Sequence, residues 1–169
     1  MNFRQASVCV LLGLGLSAGC PGPANKVTST PPKPVMDVSE VILEINPPVP
    51  LNLDDRPGPD GLRARVYFVA KGDLPVTVSG SLDMLLYELD ASKPMEQVLQ
   101  DQPFKTWLFT SADLDWAMGR TLIGWGYELP LLWGPQTPRT GKIMLRARYR
   151  SPTGQTVLSV PAIIEMSGN

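Results

Sequence analysis

Leu62, Ala64, Val66, Phe68 and Ala70 alternate with Arg63, Arg65 and Tyr67. A period of two sends one set to each side of an extended chain, so this segment predicts a strand with one buried face. The same rhythm returns near the end of the sequence. Ile143, Leu145, Ala147 and Tyr149 point one way there, and Lys142, Arg146, Arg148 and Arg150 the other. Ser151-Pro-Thr-Gly154 supplies a turn, after which Thr156, Leu158, Val160, Ala162 and Ile164 predict the inner face of a return strand. Pro161 has no amide hydrogen, so this strand belongs at an edge or carries a bulge.

Weaker patterns fill the rest. Val41, Leu43 and Ile45 predict a first strand, closed by Asn46-Pro-Pro. Residues 76–79 and 82–89 predict strands with apolar residues on both faces. Ile123, Trp125, Tyr127 and Leu129 share one strand face, with Gly124 and Gly126 opposite, and 130–141 is expected to be a long loop holding Trp133. One helix is expected, over 109–119. Thr110 is its N-cap, Asp113 the reciprocal acceptor, and Leu114, Ala117 and Met118 its apolar stripe. About seven short strands with one short connecting helix predict an all-β fold, an antiparallel β-sandwich over residues 38–169. It is immunoglobulin- or fibronectin-like in the coarse sense alone, because the Cys–Trp–Cys signature of true immunoglobulin domains is missing.

The start of the chain reads differently. Arg4 precedes an uncharged apolar stretch from Ala6 to Leu16, and Leu16-Ser17-Ala18-Gly19-Cys20 follows. This has the form of a secretory signal, and its last five residues resemble the bacterial lipoprotein lipobox. That resemblance implies a diacylglycerol on the Cys20 thiol, cleavage just before it, and a mature chain anchored in a membrane of the bacterial cell envelope. An Asp after the cysteine resembles an inner-membrane retention signal in enteric-type bacteria. Pro21 stands here instead, which points to the outer membrane. The same residues also fit an ordinary signal peptide cut near Ala18. Residues 21–37 contain five prolines in seventeen and predict an extended tether between Cys20 and the domain.

Composition narrows the chemistry. There is no histidine, which removes Ser–His and Cys–His catalytic pairs and His-ligated zinc. Cys9 leaves with the signal and Cys20 is its boundary, so the domain has neither a disulfide nor a reactive thiol. Without residues 1–19 the chain carries 14 Lys and Arg against 16 Asp and Glu, a net charge of −2, and nothing in that balance calls for nucleic acid. Asp113 and Asp115 stand two apart on the expected helix and do not converge as a glycosidase pair must. Ser79-Gly80-Ser81 lacks a nucleophile elbow. The chain is therefore expected to be non-catalytic and to need no cofactor.

Three sets of residues remain as binding candidates. Arg146, Arg148 and Arg150 form an outward row, which Arg63 and Arg65 join if their strands share a sheet. Such a row suits phosphate, sulfate or acidic glycan groups. It equally describes a solvated face paired with acids such as Glu40 and Glu44. Trp133, set among Pro and Gly, is the tryptophan expected to be exposed, where it would stack on a sugar. Asp54, Asp55 and Asp60 crowd one loop as a weak calcium candidate, although their spacing is not that of an EF-hand and Asp favours turns for local reasons. The leading expectation is a sandwich that binds another envelope macromolecule, most often a protein, with a glycan- or anion-binding module as the alternative.

Overall fold

A computed structural model of the chain describes residues 30–54, 57–72 and 74–166. Cys20, the lipobox, Asp55 and Arg56 lie outside the described residues. The fold is an antiparallel β-sandwich of two five-stranded sheets.

The first sheet contains β1 (Glu40–Ile45), β2 (Gly61–Val69), β3 (Pro75–Val76), β6 (Met118–Arg120) and β7 (Trp125–Leu132), in the order β1-β2-β7-β6 with β3 also on β2. The second contains β4 (Ser81–Glu88), β5 (Lys105–Phe109), β8 (Lys142–Arg150), β9 (Thr156–Leu158) and β10 (Ala162–Glu165), in the order β10-β8-β4-β5 with β9 also on β8. Among the described residues two short helices, α1 (Met95–Val98) and α2 (Ser111–Ala117), sit in connections.

The period-two pattern places the core. Leu62, Ala64, Val66 and Phe68 face Leu82, Met84, Leu86, Ile143, Leu145, Ala147 and Tyr149 across the sandwich, and all are buried. Phe68 stacks edge-on to Tyr127 at 5.2 Å and tilted against Tyr149 at 5.0 Å. Removing this apolar surface from water is the main force holding the layers together. β4 is apolar on both faces for a second reason. Its outer residues Leu85 and Tyr87 join Met144 and Val98 in a smaller core that α1 covers.

The expected helix is α2, with Thr110 and Asp113 forming a reciprocal capping box. Two expectations need correction. β7 runs through Pro130 to Leu132, so the loop begins later than 130. Pro130 fits because β6 pairs with β7 only as far as Tyr127, which leaves the missing amide on an unpaired side.

The return strand is also broken. Leu158 lies opposite Arg148, but Ala162 lies opposite Leu145. Four residues there span three, which is a one-residue bulge between β9 and β10. It turns Leu158 and Val160 outward, and Val157 and Ser159 take the inner positions.

Residues 32–37 of the stretch read as tether, and Val38 after them, run along the sandwich. Val35 bridges Val78 in parallel, the Thr77 hydroxyl donates to the Pro32 carbonyl at 2.8 Å, and the Gln155 side-chain amide accepts from the Val38 amide and donates to the Val38 carbonyl.

Candidate functional site

The five candidate arginines do not form one row. Arg63 and Arg65 belong to the first sheet and Arg146, Arg148 and Arg150 to the second, so the two sets face away from each other on opposite sides of the sandwich. The strand order keeps them apart, because β2 and β8 never pair. Glu44 lies opposite Arg65 in the register, as expected, but the ion pairs are made on the other side. Glu128 on β7 takes Arg65 at 3.1 Å and Arg63 at 3.5 Å. The hydrogen bond from Arg65 to Glu128 holds that guanidinium even more firmly protonated than usual, with a smaller contribution from Tyr67.

On the second sheet Asp83 is nearly inaccessible, and its Oδ2 lies 2.7 Å from both Arg148 Nη2 and Arg150 Nη2. Arg148 Nε also donates to it at 2.8 Å. Arg146 Nε donates to the Ser159 carbonyl at 3.2 Å. Three guanidinium groups are thus held in place by the sheet's own acceptors, and one of their charges is cancelled.

Strand register sets what surrounds them. Leu108 lies opposite Asp83, Asp83 opposite Arg148, and Arg148 opposite Leu158. These four residues make one row across four strands, about 4.8 Å apart. Leu108 and Leu158 are exposed, as are Val160 and Ile163 beside them. Beyond the part that α1 covers, the outer face of this sheet therefore presents arginines flanked by leucine and other aliphatic side chains.

The tryptophans also exchange roles. Trp133 is 0% exposed, a correction to its expected place on the surface. Its ring lies 6.4 Å from that of Trp107. Lys105 reaches over Trp107 at 5.5 Å and donates to the Trp133 carbonyl, while Trp107 Nε1 donates to the Leu132 carbonyl at 2.9 Å. These contacts close the corner between β5 and β7 and enclose Trp133.

The exposed tryptophan is Trp116 on α2, at 92%. It borders a shallow groove with Phe109, Asp113, Glu128 and Pro130. The signal was present in the sequence. Trp116 stands two residues after Leu114, roughly 200° around the helix from the buried stripe.

The acidic loop shows local bonding. Asp60 Oδ1 accepts from the Leu53 amide at 2.7 Å, and the Asp54 amide donates to Asn52 Oδ1 at 3.2 Å. Asp60 Oδ2 is buried without a protein partner. Among the described residues no three His, Cys, Asp or Glu side chains come together as a metal would require.

No protein-family model, curated protein or solved structure matches the chain. The fold alone defines its class, an antiparallel β-sandwich with short connecting helices.

Proposed function

We propose that this chain is a bacterial envelope lipoprotein, anchored through acylated Cys20, whose non-catalytic sandwich docks another envelope protein. The observation that carries the reading is the row Leu108–Asp83–Arg148–Leu158 on the outer face of the second sheet. Arginine set among exposed apolar side chains on a rigid support is the composition of protein-binding hot spots. Asp83 holds Arg148 and Arg150 in a fixed geometry before a partner arrives, so little side-chain freedom is lost on docking.

The same ion pairs weigh against a purely anionic ligand, which would have to compete with a buried carboxylate. A glycan-binding reading keeps one supporting observation, the exposed Trp116 beside Pro130 and two carboxylates.

A photoreactive amino acid at position 108, in cells carrying the full chain, tests the proposal. A protein adduct that disappears in Leu158→Asp and in Cys20→Ala is the expected result. Adducts equally frequent from position 44, on the other sheet, would show that the second sheet has no special role. Retention of a glycan column that depends on Trp116 and not on Leu158 would favour the second reading.

A further inference from the structure

One end of the sandwich carries an apolar tip that the fold does not need. The β6–β7 hairpin turns over Leu122-Ile123. Two-residue hairpin turns favour Asn, Asp and Gly, which reach the required backbone angles and suit water. Here the two residues are large and aliphatic, and Leu122 is 105% exposed and Ile123 52%. The turn is well held, since the Thr121 amide and hydroxyl both donate to the Gly124 carbonyl, at 2.8 and 2.9 Å. Gly124 has a φ of +144°, and a side chain there would come within 3.1 Å of Pro75. The hairpin therefore rests against β3, and the residue before Pro75 is Leu74, 70% exposed.

The chain leading back to Cys20 leaves from this same end. Val35 runs parallel to Val78, so Pro32 lies level with β3, and Pro31 enters the sandwich at that end. Ten residues lie between Cys20 and Pro31, eleven residue steps in all. As an extended proline-rich chain they reach at most roughly 34 Å, about the width of a small domain. The exposed charges at this end are mixed, with Lys71 and Arg120 against Asp37 and against Glu40 opposite Val69, and Asp73 stands between Lys71 and Leu74 in the sequence. An exposed apolar tip with charged residues of both signs around it suits the interface of a bilayer, where aliphatic side chains bury and charges stay in water.

We infer that Leu74, Leu122 and Ile123 dip into the lipid surface that holds Cys20, so that the sandwich stands end-on and its arginine-bearing face looks sideways along the membrane. The inference rests on the anchoring proposed above. The tip adds contacts that the acyl chains cannot supply, because they fix distance and leave orientation free.

The test uses the full-length, processed chain in vesicles of phosphatidylethanolamine and phosphatidylglycerol doped with doxyl-labelled lipid. An environment-sensitive dye is placed on Leu122→Cys, or on Gln136→Cys at the opposite end as control. Mass spectrometry of the N-terminal peptide reports acylation. The expected result is an acylated Cys20, with quenching at position 122 several-fold above that at 136, falling back in a Leu74→Ser/Ile123→Ser background. Acylated chain with equal, weak quenching at both positions overturns the inference and leaves the anchoring intact. An unacylated Cys20 overturns both. A dye at 122 that is shielded from water but insensitive to the lipid quencher shows that protein covers the tip, which also overturns the inference.

Discussion

Asp83 Oδ2 lies 2.7 Å from Arg148 Nη2, in a carboxylate that solvent scarcely reaches. Arg150 approaches the same oxygen at the same distance. Asp83→Asn preserves the shape and removes the charge, leaving two guanidinium groups side by side with no counter-ion. Both arginines are partly exposed, so water screens some of the repulsion. A loss of about 1–3 kcal/mol is expected in urea unfolding. Arg148→Gln in the Asp83→Asn background should recover part of it. Strict additivity of the two changes would show that the contact carries no coupling.

Tyr67 is buried on the outer side of the first sheet because it lies over Gly126. A methyl group at position 126 would sit 2.7 Å from Tyr67 Cε1 and 3.1 Å from Cδ1. Gly126→Ala therefore forces the ring off the strand and should destabilise by about 1–3 kcal/mol. A change under about 0.5 kcal/mol would mean that the ring moves freely.

The tryptophans should separate in the opposite sense to their sequence surroundings. Trp133→Ala empties an enclosed site and is expected to cost about 3–5 kcal/mol. Trp116→Ala should stay within about 0.5 kcal/mol. Acrylamide quenching of the native fluorescence should fall when Trp116 is removed and hold when Trp107 is. Equal accessibility of all four would contradict the enclosed corner.

Tyr127 sets the alkaline limit. Burial pushes its pKa up to about 12, against a smaller opposing effect of the Val78 amide that donates to its oxygen at 3.0 Å. Burial raises Tyr149 as well. In the unfolded chain these phenols ionise near pH 10. Between about pH 10 and 12 the unfolded state releases protons that the folded state keeps. The stability these two phenols contribute is thus complete below pH 10 and is lost as pH rises through the folded value. Tyrosinate absorbance followed beside urea midpoints checks this. Tyr127→Phe should flatten the decline and cost about 1–2 kcal/mol at neutral pH, since it leaves the Val78 amide without an acceptor.

How much the sequence disclosed depended on whether a strand had a polar side. β2 and β8 alternate arginine with aliphatic residues, so their inner faces were readable one residue at a time. β4 was blurred because α1 covers its outer face and both sides are apolar. β5 hides because Lys105 points inwards, where Trp107 and the Trp133 carbonyl hold it. The capping box at Thr110 and Asp113 is local chemistry and was legible in full. The bulge after Leu158 announced itself only through Pro161, since outward-facing Leu158 and Val160 keep the apolar rhythm going. Which arginines share a face depends on strand order, and no local pattern encodes that.

The same bulge decides who can lie beside the sandwich. An outermost strand offers free amides and carbonyls to any extended neighbour. Here that border is cut into a three-residue and a four-residue piece, with Pro161 in the gap. A passing strand finds no continuous ladder to copy. Pairing between sandwiches is thereby steered away from this border and left to β1 and β5, the unbroken outer strands of the two sheets.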